Sequence, residues 1–210
     1  MGQAQQVNPQ LTPTDAKVVS QGAAFIKTML LDLHRCIQEV SNADAENRQF
    51  WARMYIRSYS TWIEGTIWLY KKMIASSHGK GLELTLPQQL YFSELDWRIN
   101  DDGEIQTSLK KLKTIDNIKT FIKASGALVG ISTPFNSHGW RGVASFYKVR
   151  DALTHPTNFS HLEINVEDLT HMDAGRVWLN NHLDAVRAMI VKRVGGGAAL
   201  SSEASPHFRH

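Results

Sequence analysis

The run Val149-Arg150-Asp151-Ala152-Leu153-Thr154-His155-Pro156 holds the side chains best suited to chemistry. Histidine titrates near neutral pH and can give or take a proton, while the planar fork of arginine stays charged and grips two oxygens of a phosphate or carboxylate. Arg150 and His155, five positions apart, would thus offer proton transfer beside a bound oxyanion. Asp151, four residues before His155, lies on nearly the same helical face and is placed either to orient the imidazole or to hold Arg150. On an ideal helix Arg150 and His155 point roughly 140° apart, so they converge only if the helix loosens at its end or the arginine curls back. Pro156 predicts such an end, because proline disfavours helix in the residue before it. The plainer alternative is a surface Arg150–Asp151 pair with His155 capping a helix C-terminus, where the dipole favours a cation.

A second set lies upstream. Arg53, Arg57, Ser60, Glu64 and Lys71 recur at spacings of four, three, four and seven, forming a polar stripe on a segment otherwise apolar on two sides. That stripe is either a solvated ridge, with Arg57 set against Ser60 and Glu64, or the lining of a cleft. Other chemistry lacks its signatures. H-E-x-x-H, the phosphate loop G-x-x-x-x-G-K-[ST], G-x-G-x-x-G and the G-x-S-x-G elbow are all missing, and Cys36 is the sole cysteine. The nine histidines are scattered, so neither a metal nor another cofactor is expected.

The Arg150-Asp151 to His155 stretch resembles the signature of the HEPN superfamily (higher eukaryotes and prokaryotes nucleotide-binding). There an arginine, a polar residue and, after a short interval, a histidine close an equivalent helix. The resemblance extends to the Gly139-Trp140 helix start, to the earlier helix carrying Ser60 and Glu64 among aromatics, and to the order of helices over residues 14–194. It implies a metal-independent endoribonuclease, a toxin or phage-defence effector. RNA supplies its own nucleophile, the 2′-hydroxyl, so a site needs only proton transfer and charge stabilisation at phosphorus. His155 would be the general acid/base, Arg150 the stabiliser of the phosphorane and Asp151 the orienting residue, with Arg57, Ser60 and Glu64 lining the cleft. The products would be a 2′,3′-cyclic phosphate and a free 5′-hydroxyl. One chain offers one such pair, and the resemblance implies a homodimer that sets two of them around one cleft. An antitoxin or other inhibitory protein is a further implied partner. Some HEPN toxins are silenced by modification of a tyrosine two residues beyond the histidine, where this chain has Thr157. Other members of the superfamily have lost cleavage and bind RNA, nucleotide or protein through the same groove.

The elements that must position these residues are helical. Thr12-Pro13-Thr14-Asp15 is a helix start, after which Val19, Ile26, Leu30, Leu33, Ile37 and Val40 mark one buried face up to about Ser41-Asn42. A second helix spans about residues 48–75, with Trp51, Tyr55, Trp62, Leu69 and Met73 on one side and Ile56, Ile63, Ile67, Tyr70 and Ile74 on another. Residues 79–103 carry turn signals, notably Asn100-Asp101-Asp102-Gly103, and predict short helical pieces or a small hairpin. A third helix is expected over about residues 107–124, with Leu112, Ile115 and Ile122 inside and Lys110, Lys111, Lys113, Lys119 and Lys123 mostly outside. Residues 126–139 read as a loop, 140–154 as a fourth helix and 161–166 as a short extended piece. The last helix, over 174–194, faces Leu179, Leu183, Val186, Ile190 and Val194 inward. The expected fold is an all-α, HEPN-like up-and-down bundle of about five helices with a small irregular or hairpin insertion. It occupies residues 12–194, between a frayed N-terminus (1–11) and a disordered tail rich in Gly, Ala and Ser (195–210).

Composition fits this reading. With 42% hydrophobic and 20% charged residues the chain is an ordinary globular one, and a net charge of +3 resembles neither a histone tail nor a polybasic anchor. The lone cysteine, the lack of an apolar leader and the absence of a membrane-length apolar stretch predict a cytoplasmic protein with no membrane partner. A bundle serving only assembly, anchored by Trp51, Trp62, Trp140 and Trp178, is the remaining alternative.

Overall fold

Asp44 marks the first sharp corner of the chain. Its extended backbone leaves the preceding helix, and its carboxylate accepts the Asn47 amide at 2.8 Å to start the next one. The computed structural model describes residues 13–79, 82–99, 101–110 and 112–194. The frayed N-terminus and Gly/Ala/Ser tail expected from the sequence lie outside these residues, as do Thr12, Asn100, Lys111 and the side chains of Val19 and Val194.

The order is α1 (Pro13–Asn42), α2 (Ala45–Ser76), α3 (Leu86–Phe92), β1 (Leu95–Ile99), β2 (Ile105–Leu109), α4 (Thr114–Val129), α5 (His138–Thr154), a single 3-10 turn (Phe159–Leu162) and α6 (Val166–Val194). The fold is all-α with a small two-stranded antiparallel insertion, Leu95 pairing with Leu109 and Ile99 with Ile105. Helix α2 is the central member. It packs against α1 along one flank, and against α3, α4, α5 and α6 elsewhere. Its Ile56, Ile63, Ile67 and Ile74 are all buried, as are Phe92, Phe121, Phe146 and Leu183 brought by other elements. Each such side chain stabilises the fold by about 1.5–3 kcal/mol relative to exposure.

Helices α5 and α6 lie unusually close together. A Cβ placed on Gly142 would meet the His171 carbonyl oxygen at 2.5 Å and the Gly175 nitrogen at 2.6 Å, and one placed on Gly175 would meet Gly142 and Val143 backbone atoms at 2.5 Å. Backbone therefore touches backbone at this crossing, which only glycine on both sides permits.

Several expected boundaries are corrected. The third long helix begins at Thr114, not 107, because residues 105–109 pair with 95–99 once the Asp101–Gly103 turn reverses the chain. Leu112, expected inside, is exposed at the mouth of that connection. The helix also continues through Gly126 and stops at Gly130, whose φ of 73° is left-handed. Residues 126–129, read as loop, are thus helical. The stretch read as extended, 161–166, opens with the 3-10 turn, and α6 starts at Val166 instead of 174. There are six α-helices among the described residues: five long ones, and the short α3 within the 79–103 stretch, where short helical pieces or a small hairpin are expected. None of them is long and apolar enough to cross a membrane.

Candidate functional site at the end of the fifth helix

Helix α5 starts where Ser137 accepts the Trp140 amide at 3.2 Å, and it ends where Pro156 forbids another turn. His155 is the residue at which the backbone leaves the helix, with φ −129° and ψ 63°, its N–H still donating to the Asp151 carbonyl at 2.9 Å. The helix thus loosens only at His155 itself, while the Arg150 guanidinium turns to Asp151 and Glu64. His155 is exposed, and its imidazole makes no hydrogen bond to a described residue.

Arg150 is held from two sides. Its Nη1 donates to Asp151 Oδ1 at 2.9 Å and its Nη2 to Glu64 Oε1 at 3.2 Å, so the guanidinium ties α5 to α2. Of the two tasks open to Asp151, its carboxylate performs the one of gripping Arg150. Burial is the largest influence on Arg150 and opposes its charge, but the Asp151 hydrogen bond and the Glu64 and Asp151 charges outweigh it and raise its pKa. Burial likewise raises the Glu64 carboxyl above its usual range, against the pull of Arg150. Glu64 is thus a carboxyl with enhanced proton affinity beside a fixed cation.

The rest of the α2 stripe docks below this pair. Arg57 Nη2 donates to the Leu153 carbonyl at 3.3 Å, capping an otherwise unsatisfied oxygen in the last turn of α5. Arg53 Nη1 reaches the Leu162 carbonyl in the 3-10 turn at 3.0 Å. Ser60 is buried and its hydroxyl turns back to the Arg57 carbonyl at 2.8 Å, so it faces the helix and not a cleft. The stripe is neither a solvated ridge nor an open groove; it is a polar seam along which α2 docks against α5, the 3-10 turn and, further on, α4. Arg57, Glu64, Arg150 and Asp151 are brought to that seam and His155 to its edge, while Ser60 serves local structure.

The sequence did not single out Tyr147. Its hydroxyl is buried with no hydrogen-bond partner among the described residues, one turn before Arg150, and burial pushes its pKa well up with Glu64 adding to the effect. Its position three residues before Arg150 was the available signal, but an aromatic at core spacing reads first as packing. Elsewhere, Ser125 and His182 form a buried pair at 2.9 Å inside the α4–α6 contact. Among the described residues no three His, Cys, Asp or Glu side chains are grouped to hold a metal ion. Comparison of the chain with protein-family models, with curated proteins and with solved structures finds no match.

Proposed function

We propose that this protein is a metal-independent endoribonuclease of HEPN type, working as a homodimer. The observation that carries the reading is that the last turns of the proline-terminated α5 hold both a clamped guanidinium and, five residues on, an exposed imidazole. In this reading the RNA 2′-hydroxyl attacks the adjacent phosphorus while an imidazole takes its proton, and the bond to the 5′-oxygen breaks as a second imidazole protonates that oxygen. Two His155 side chains, one from each protomer, fill the two roles. Arg150 balances the charge that grows on the non-bridging oxygens, and the Glu64 and Asp151 carboxylates fix its plane. Arg57, exposed on the same seam, contacts the RNA backbone. A cytoplasmic toxin or phage-defence effector restrained by a contact inhibitor is the setting that the family resemblance suggests.

A second reading has a specific observation in its favour. Arg150 already has two carboxylate partners, the arrangement of a structural tie between α2 and α5, and a HEPN-like module that binds RNA, nucleotide or protein without cleaving would look the same. The two readings separate on one experiment. Total RNA and purified tRNA are incubated in excess EDTA with the wild type, Arg150→Ala and His155→Ala, each checked for unchanged folding. Cleavage by the wild type alone supports the ribonuclease. Equal behaviour of all three removes it and leaves the binding module.

A further inference from the structure

Seven residues beyond Glu64, about 10 Å further along α2, the seam ends in a cation that the ribonuclease reading does not use. Lys71 is only 3% exposed, on a helix where Leu69, Tyr70 and Ile74 beside it are core. Burying an ammonium is costly unless its three donors are matched. Lys71 Nζ donates to Asn117 Oδ1 at 2.6 Å and to Glu94 Oε1 at 3.4 Å, and lies 4.2 Å from the centre of the Tyr91 ring. Two oxygens thus serve three donors. The remaining side of the site is a cavity of about 340 Å³ lined by Lys71, Tyr91, Glu94, Lys110, Leu112 and Asn117.

The frame of this cavity is built with some strain. Glu94 has φ 59°, a left-handed conformation rare outside glycine, and it is the only non-glycine residue so placed among those described. That conformation is locked by the Glu94 amide donating to Tyr91 O at 3.1 Å and by the Lys110 amide donating to Glu94 O at 2.8 Å. Asn117 is fixed in turn by the Tyr91 hydroxyl, which donates to its carbonyl at 2.8 Å. Lys72 reaches the other Glu94 oxygen at 3.7 Å. Lys71 and Lys110 line the cavity together with Glu94, and Lys72 pairs with that same carboxylate from beside it, so three ammonium groups to one carboxylate leave a local surplus of two positive charges around a half-open space.

We propose that this cavity binds a phosphate monoester of a small molecule. The surplus of two positive charges matches the charge of such a group near neutral pH, about −1.5 to −2. Lysines act on phosphate as point charges without the fixed fork that favours planar carboxylates. The volume lies at the low end for ligand sites, which holds the ester to the size of a small metabolite. Burial disfavours the charge of Lys71 despite the attraction of Glu94, and a dianion bound beside it would favour its charged form. The site is independent of the proposed cleavage site, since none of its residues touches Arg150 or His155.

The test is a titration of the full-length, isotope-labelled protein with inorganic phosphate at constant ionic strength, following the amides of Glu94, Lys110 and Asn117 by NMR. A saturable shift confined to these residues is expected. Lys110→Ala, at an exposed position that the fold does not need, should weaken binding about tenfold, and Glu94→Gln, which removes the one negative charge, should tighten it by a similar factor. Opposite signs from two neighbouring substitutions are not a consequence of loosened packing. Shifts that never saturate, variants that bind like the wild type, or acetate that binds as tightly as phosphate would each overturn the proposal.

Discussion

Replacing Arg150 should have two effects of different size, and a second substitution should separate them. In Arg150→Gln the half-buried Glu64 carboxylate, raised in pKa even with its cation beside it, loses that cation. Glu64 keeps 37% of its side-chain surface, so solvent screens much of the loss, and the expected destabilisation is about 1–2 kcal/mol. The double variant Glu64→Gln/Arg150→Gln replaces the ion pair with neutral groups able to hydrogen bond and should recover most of that stability. Cleavage should not recover. Loss of a charge stabiliser at phosphorus lowers the rate by about 10²–10³-fold in both variants, whereas a 1–2 kcal/mol loss leaves almost all molecules of a typical domain folded. Urea unfolding followed by tryptophan fluorescence measures the first quantity, and single-turnover cleavage of a short fluorogenic RNA in EDTA the second. A double variant that is stable and cleaves at the wild-type rate would refute the role given to Arg150 and leave the residue a tie between helices.

Other expectations follow from the same contacts. Ser125 gives its proton to the Phe121 carbonyl at 2.6 Å, so His182 Nε2 donates to Ser125 while Nδ1 faces no partner, and burial pushes the ring down from 6.5 to about 4. The unfolded chain then binds the extra proton first, so stability is full above pH 6.5 and declines toward pH 4 by about 3 kcal/mol, and an NMR titration placing His182 above pH 6 would contradict this. Gly142→Ala and Gly175→Ala should each destabilise by about 3 kcal/mol, since the added methyl meets backbone that cannot rotate away; thermal unfolding reads this directly, and an unchanged midpoint would show that the helices can part. Gln49 clamps the segment before α6 through both Ile164 backbone groups, donating to O at 2.8 Å and accepting from N at 2.9 Å, so Gln49→Ala should cost about 2 kcal/mol and speed amide exchange at Ile164, whereas unchanged exchange would count against the clamp.

The long helices were legible because local signals and burial agree in them. The spacing of Ile26, Leu30 and Leu33, the two apolar sides of α2, and the arrest at Pro156 all describe what the structure contains. The displaced start of α4 has a physical cause: Leu109, Leu112 and Ile115 recur at helical spacing among lysines, but only Ile115 packs on the core, and strand pairing claims Leu109. Gly126 read as a break although it sits inside α4, where a side chain would press within 3.0 Å of the Ile131 carbonyl. The early turns of α6 escaped notice because residues 167–173 show no clear apolar period, and of the described side chains among 169–173 only Met172 is buried. At the candidate site the residue types were readable while the partners were not. No local spacing reveals that Arg57 would reach Leu153, or that Glu64 and Arg150, 86 positions apart, would pair. Lys71 belonged to the visible stripe, yet its cavity depends on Glu94 and Asn117, which the hairpin and α4 bring in from later in the chain.

The close glycine crossing makes α5 a lever. It pins the helix near its start, and the Arg150–His155 end projects from that fulcrum by about 18 Å, at 1.5 Å for each residue. Tilting the helix there by about 5° would carry His155 through roughly 1.5 Å, a displacement large enough to cost a catalytic group about a hundredfold in rate. The far end is seated by the buried Leu153 and tied to α2 through Glu64 and Arg57. A partner that presses on α6, or a single methyl added at Gly175, would therefore act on the imidazole from the opposite end of the helix while touching none of the residues around it.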